Sequence, residues 1–132
     1  MSADVDLKRR IGMVLVVALS FSAAVAQTQS EMNEGASKSF KAVSLDLSKA
    51  IDSYRQDLPA GQLKLFDQSQ RAWEEYRRSA CIFESSGVNR GSAQPLIQRT
   101  CLTTLTRERL RYIQRLSACQ EGDLSCPAWK KE

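Results

Sequence analysis

Four cysteines constrain the fold of this 132-residue chain more than any other feature: Cys81, Cys101, Cys119 and Cys126. An even number of cysteines in a short chain indicates two disulfides if the compartment is oxidising. The four allow three pairings, and a zinc site is the competing interpretation. The chain has no histidine and no C-x-x-C pair, the usual ligands and spacing of zinc sites. We therefore favour disulfides and expect no metal.

The N-terminus indicates export from the cytosol. A positive cluster at residues 8–10 precedes an uncharged apolar run, residues 11–26, whose last three residues read Ala-Val-Ala. These are the three parts of a cleavable signal peptide. The run is shorter than the roughly 20 residues that span a membrane. We predict a signal peptide over residues 1–26 and no stable membrane span after cleavage; an uncleaved N-terminal anchor is the alternative.

The rest of the chain is long enough for one domain and too short for two. The whole chain has 19 basic and 15 acidic side chains, of which residues 1–26 hold three and two, so the remainder has a net charge of +3. Such a charge favours anionic partners only mildly. We expect a flexible lead-in at residues 27–35, a helical domain at 36–118 and a disulfide-closed tail at 119–132.

Helical periodicity dominates the predicted domain. Apolar side chains recur at three- and four-residue steps between Phe40 and Leu58, the pattern of a helix with one buried face. Pro59 and Gly61 then break the helix. A second helix is predicted over about residues 62–84. Its apolar stripe consists of Phe66, Trp73, Tyr76, Ala80 and Phe83.

A third helix is predicted to begin between Ser92, which can cap it, and Pro95, which a first turn tolerates. Its inner face consists of Cys101, Leu102, Leu105, Ile113 and Leu116. Short connections make this an all-α, antiparallel bundle of three main helices. In such a bundle, a short loop joins the end of the second helix, which holds Cys81, to the start of the third, which holds Cys101, so the two sulfurs can meet. We therefore favour the pairs Cys81–Cys101 and Cys119–Cys126.

The second and third helices also carry a recognisable pattern. Gln70 to Cys81 reads Q-R-x-W-x-x-Y-R-x-x-x-C. It is followed by Gly91-Ser92, Cys101-Leu102, Leu105-Thr106 and Arg109. Together these residues, within about 63–116, resemble the LprI-like lysozyme inhibitor domain, a family of small exported helical proteins. The resemblance implies a periplasmic or cell-surface location, a Cys81–Cys101 disulfide and, for some members, inhibition of lysozyme.

Four residues of this pattern are interpreted as structural: Gln70, Trp73, Arg77 and Arg109. We expect Trp73 to anchor the core between helices, and Gln70 to hydrogen-bond backbone near a helix end. Arg109 falls on the inner face of the third helix, where a charge is costly unless it is paired. Glu74 or Glu75 is its predicted partner.

The loop between the second and third helices, residues 87–92, is the first candidate binding site. Gly87, Asn89 and Gly91 suit backbone positions with positive φ. A disulfide at its base would make the loop a rigid probe. Arg90 at its tip could meet the paired carboxylates that a glycosidase cleft needs.

A second candidate is a row of arginines on the third helix, Arg107, Arg111 and Arg115. Their four-residue spacing places them on one face, opposite Arg109. One interpretation is that these arginines form a solvated helix face without a binding role. The other is that they form a cationic stripe that binds an anionic envelope component, such as lipid phosphates or cell-wall carboxylates.

The sequence lacks the residues that most enzymes use for catalysis. Without histidine the usual general base is missing, and oxidised cysteines leave no thiol nucleophile. No motif for a cofactor is present, and export argues against a nucleic-acid partner. We therefore predict a periplasmic or secreted binding protein rather than an enzyme, resembling inhibitors that protect the cell wall from muramidase. The alternative is an envelope interaction protein that binds an anionic partner through the arginine stripe.

Overall fold

The computed structural model describes the backbone of residues 2–127 and the side chains of residues 28–127. Three helices form the fold: α1 (Ser2–Gln56), α2 (Ala60–Glu84) and α3 (Gln94–Ser117). A 3-10 turn, Ser86–Val88, lies between α2 and α3. No strand occurs in the described part of the chain, and the prediction of an all-α fold with three main helices is confirmed.

Two predicted segments lie partly outside the described residues. The side chains of the predicted signal peptide, residues 1–26, and the last five residues of the predicted tail, 128–132, lie outside the described residues. Among the residues described, no helix has the length and apolar character that crossing a membrane requires.

The segment 27–35 is helical, so the predicted flexible lead-in is wrong. α1 continues through it without a break. Its polar side chains are compatible with a helix because they find partners one turn away: Lys38 pairs with Glu34 at 2.7 Å. Asn33 Nδ2 donates to the carbonyl oxygen of Ser92 at 3.0 Å, which ties the segment to the start of α3.

The core lies where α1 and α3 meet the first half of α2. Its buried members are Leu47, Tyr54, Leu58, Phe66 and Ile113. Tyr54 and Phe66 pack edge to face with centroids 5.2 Å apart, an arrangement that aromatic pairs favour. The predicted stripe of α1 is therefore confirmed, as is the break at Pro59, which cannot continue a helix because it has no N–H.

Two predictions for the second stripe are wrong. Tyr76 and Phe83 are 60% and 79% exposed. The buried face of α2 instead carries Phe66, Gln70 and Cys81. Its centre is rotated about 80° around the helix from the centre of the predicted stripe.

The start and inner face of α3 also differ in part from prediction. α3 begins at Gln94, inside the predicted interval, but its N-cap is Ala93, so Ser92 lies one residue too early to cap it. The inner face includes two buried threonines that the apolar pattern did not predict, Thr103 and Thr106. Each is compatible with burial because its hydroxyl donates to the carbonyl oxygen one turn earlier.

Both predicted disulfides are present. Cys81–Cys101 joins the end of α2 to the start of α3 with a Cα–Cα distance of 5.5 Å, and Cys119–Cys126 closes the tail at 5.8 Å. No cysteine is free. The tail is exposed and turns at Gly122 and Asp123. Hydrogen bonds from Ser125 lower the pKa of the Asp123 carboxyl.

The buried phenol of Tyr54 makes stability depend on alkaline pH. Burial, and then the proximity of Tyr112, raise the pKa of Tyr54 above its ordinary 10.0. The unfolded chain therefore ionises first, and the stabilisation is present below pH 10 and is lost as pH rises through the folded-state pKa. We expect the melting temperature to fall above pH 10, and less steeply in Tyr54→Phe, measured by circular dichroism. Tyr76→Phe, at an exposed tyrosine, serves as the control; equal slopes for parent and Tyr54→Phe would contradict the prediction.

Candidate functional site

The α2–α3 loop, residues 85–93, is held at both ends. The Cys81–Cys101 disulfide lies at its base. Ser85 is buried, and its hydroxyl donates to the carbonyl oxygen of Cys81 at 2.8 Å. At the other end, Ser92 accepts the hydrogen bond from Asn33 of α1. The loop is therefore connected to all three helices, which restricts its movement.

The tip of the loop is a type II β-turn from Val88 to Gly91. The Gly91 amide donates to the carbonyl oxygen of Val88 at 2.9 Å. Asn89 has φ −53° and ψ 134°, and Arg90 has φ 63°. These angles match the two central positions of a type II turn, of which the second normally holds glycine.

Arg90 is strained by this turn. It is the one non-glycine residue with positive φ in the described part of the chain, and that conformation costs roughly 1–2 kcal/mol for a residue with a Cβ. We expected positive φ at Gly87, Asn89 or Gly91, and that expectation is wrong. Strain at an exposed arginine points to a role for its side chain.

Neighbouring contacts hold the turn in place. The Arg90 amide donates to Gln94 Oε1 of α3 at 3.0 Å. A Cβ at Gly91 would lie 3.0 Å from the carbonyl oxygen of Val88, so a larger residue there would push the turn open. The side chains of Asn89 and Arg90 are exposed, and the Arg90 guanidinium has no ion pair among the residues described.

Two apolar side chains are exposed in the loop and shortly after it. Val88 is exposed within the turn, and Ile97 is exposed in the first turns of α3. Ile97 also lines a shallow depression with Glu84 and Leu105. The turn therefore presents an exposed apolar group, Val88, together with the Arg90 cation.

Trp73 lies between two arginines in the interior of the bundle. The guanidinium carbons of Arg77 and Arg109 are 4.7 Å and 5.5 Å from the centre of its ring. Arg77 also lies over Phe40 of α1, and Arg109 over Tyr112 of α3. This arginine–aromatic ladder, consisting of Phe40, Arg77, Trp73, Arg109 and Tyr112, joins all three helices.

Neither ladder arginine has a carboxylate within ion-pair distance in the described chain, although the charge of Glu74 acts on both from farther away. Burial lowers the pKa of Arg77 and of Arg109, since it disfavours the charged form. Cation–π attraction to the ring faces offsets part of the free-energy cost of burying the two charged guanidinium groups. Arg77 also donates to Thr106 Oγ1 at 2.9 Å, although its Nε is buried without a hydrogen-bond partner.

The predicted direct ion pair of Arg109 with Glu74 or Glu75 does not form, although the charge of Glu74 acts on Arg109 and raises its pKa in part. Arg109 Nε donates instead to Gln70 Oε1 at 3.1 Å. Glu75 pairs with Arg78 on the surface. Gln70 thus bonds a side chain rather than backbone, which corrects its predicted role as well. Trp73 packs against the core between helices, as expected.

The arginine stripe and the loop are separate sites. Arg107, Arg111 and Arg115 are exposed, and the Arg115 guanidinium lies over the ring of Tyr112. Arg107 is 13 residues beyond the start of α3, which places it about 20 Å along the helix from the loop. No cluster of three or more potential metal ligands occurs among the described residues.

Comparison with known proteins gives the family. A family model described as "Lysozyme inhibitor LprI" matches residues 22–113, more than two thirds of the chain. An uncharacterized protein of Rhizobium meliloti is 28% identical over 110 aligned residues, covering 74% of this chain and 79% of that protein. No solved structure matches the chain. The matched region contains the Trp73 motif, the first disulfide and the α2–α3 loop, and the chain belongs to the LprI lysozyme inhibitor family.

Proposed function

We propose that this protein is an exported, non-enzymatic inhibitor of a lysozyme and that the α2–α3 loop makes the inhibitory contact. Family membership supports the activity, and the strained turn at Arg90 is the observation that supports the site. Arginine occupies that position although glycine would adopt positive φ there without strain.

The chemistry of the target complements the loop. Lysozyme-type glycosidases hold a pair of carboxyl groups in a cleft. A projecting guanidinium can donate two hydrogen bonds to a carboxylate. Because the disulfide and hydrogen bonds already order the loop, little conformational entropy is lost when it enters a cleft.

Charge at long range contributes little to this recognition. Without residues 1–26 the chain has a formal net charge of +3, and so gains no steering toward a basic lysozyme. Affinity then depends on close contacts of Arg90, Asn89 and Val88 rather than on fast association.

The test is protection of bacterial cell walls against lysozyme, followed as clearing of a suspension. We expect the oxidised protein to slow clearing and Arg90→Glu to raise the concentration needed at least tenfold, about 1.4 kcal/mol of binding. Arg107→Glu makes the same charge change at an exposed residue of α3 and should inhibit as the parent does. Arg90→Gly removes the side chain while suiting the turn, so it should lose inhibition without unfolding.

Two outcomes would contradict the proposal. Arg90→Glu and Arg90→Gly variants that inhibit as well as the parent would exclude the loop as the contact. Absence of protection at stoichiometric excess, against lysozymes of several types, would exclude the function. The alternative, an anionic envelope partner at the arginine stripe, predicts the opposite ranking, with Arg107→Glu weakening retention on cell walls and Arg90→Glu leaving it unchanged.

A further inference from the structure

One face of α2 is apolar, exposed and independent of the loop. Leu65, Tyr76 and Phe83 lie on it, with the small residues Ala72 and Ser79 between them. Their spacing of seven, four, three and four residues keeps all five on one side of the helix. This α2 stripe, residues 65–83, extends over about 27 Å.

The bundle itself does not cover the α2 stripe. α2 packs on α1 and α3 through the face that carries Phe66, Gln70 and Cys81. Single exposed apolar residues are common on protein surfaces, but large ones aligned along a whole helix mark a surface that a partner covers. We propose that the partner is a second copy of this chain, with the two α2 helices packed antiparallel.

The charges beside the stripe favour this occupant and orientation. One flank carries Lys64, Arg71, Glu75 and Arg78. In an antiparallel pair centred on residue 73, Arg71 of each copy lies opposite Glu75 of the other copy, and Arg78 lies opposite Gln68. A parallel pair would instead place this flank beside the opposite flank of the other copy, which carries Gln62, Ser69 and Ala80 and offers Arg71 no carboxylate. Opposite charges therefore meet twice in the two-fold arrangement.

The side chains of the stripe fit the same register. Leu65 of one copy falls between Ser79 and Phe83 of the other, and Ala72 meets Ala72 near the two-fold axis. A small residue at the centre lets the helices approach closely, with Tyr76 packing on either side. Glu75 pairs with Arg78 of its own chain at 3.0 Å, and both side chains are exposed. An exposed pair of this kind is weak, so replacing it with a pair between the two copies costs little free energy.

The arrangement leaves the candidate inhibitory loops free. The loop follows the C-terminal end of α2, and α2 has 25 residues, so antiparallel packing places the two loops at opposite ends, about 37 Å apart. The inference does not depend on the proposed function, because neither Arg90 nor Asn89 takes part.

Association of the purified protein tests the proposal, by sedimentation velocity from micromolar to millimolar concentration. We expect a concentration-dependent dimer in the parent and at least tenfold weaker association in Tyr76→Glu. Leu45→Glu places the same charge at an exposed apolar residue of α1 and should associate as the parent does. Equal melting temperatures for Tyr76→Glu and the parent would show that the fold is intact.

Oxidative cross-linking tests the register. Ala72→Cys should form a disulfide-linked dimer, whereas Ala42→Cys, an exposed position on α1, should not. A parent that stays monomeric throughout the range, or a Tyr76→Glu variant that dimerises like the parent, would overturn the proposal. If the parent is monomeric and Tyr76→Glu loses protection against lysozyme, the stripe belongs to the lysozyme contact and no dimer forms.

Discussion

Replacement of Trp73 by alanine is expected to lower the free energy of unfolding by about 3–5 kcal/mol, the range for large aromatic truncations in a core. The ring packs against the core cluster and also faces the guanidinium groups of Arg77 and Arg109. Its loss leaves a cavity and removes a ring face from two half-buried cations that make no direct ion pair in the described chain.

Urea denaturation followed by circular dichroism measures this effect without relying on tryptophan fluorescence. Trp73→Phe retains a ring face, so its free energy of unfolding should fall markedly less than that of the alanine variant. Arg109→Lys should also be destabilised, because an ammonium cannot stack on the ring or donate through a planar Nε as Arg109 does to Gln70. Leu45→Ala, at an exposed residue of α1 outside the proposed dimer contact, should change stability by less than about 0.5 kcal/mol. A loss below about 1 kcal/mol in Trp73→Ala would show that the ladder is peripheral to stability.

The ladder also explains where the apolar pattern succeeded and failed. The stripe of α1 was predictable because its buried positions, such as Leu47 and Leu58, are apolar. The buried face of α2 carries Gln70, and the partly buried Arg77 lies beside it. A search for apolar residues at helical spacing therefore selects Tyr76 and Phe83, which are exposed. Such a search misses buried positions that are occupied by polar side chains whose apolar stems pack along the core.

The sequence predicted that burying the charge of Arg109 is costly, but not which groups compensate that charge. A charge on an inner helix face requires compensation, and sequence proximity suggested a glutamate. The structure supplies Gln70 and two rings instead. That choice depends on the relative rotation of α2 and α3, which side-chain periodicity along a single helix does not determine.

The candidate site was predictable in position but not in conformation. Cysteines on either side of a short glycine-containing segment correctly indicated a braced loop. Asn89 and Gly91 both tolerate positive φ, and nothing in the sequence assigned it to Arg90 between them. The hydrogen bond from the Arg90 amide to Gln94 of α3 holds the turn in the form that places positive φ at Arg90, and this contact depends on how α3 begins.

Removal of the Cys81–Cys101 disulfide, by Cys81→Ser with Cys101→Ser, is expected to cost about 3 kcal/mol. The pair closes a loop of 20 residues, and the lost restriction of the unfolded chain has that size. For a domain of this length the melting temperature should fall by roughly 15 °C. Thermal unfolding of the double variant, with no free thiol left at either site, measures the change.

The second disulfide provides the matched comparison. Cys119–Cys126 spans seven residues, and residues 120–125 between the two cysteines are all exposed. It restricts the folded and unfolded chains almost equally, so Cys119→Ser with Cys126→Ser should cost less than about 1 kcal/mol. Because the first disulfide also braces the loop, only its removal should weaken protection against lysozyme at temperatures where both variants remain folded. Equal losses of stability from the two removals would mean that the bridge between α2 and α3 is not what holds these helices together.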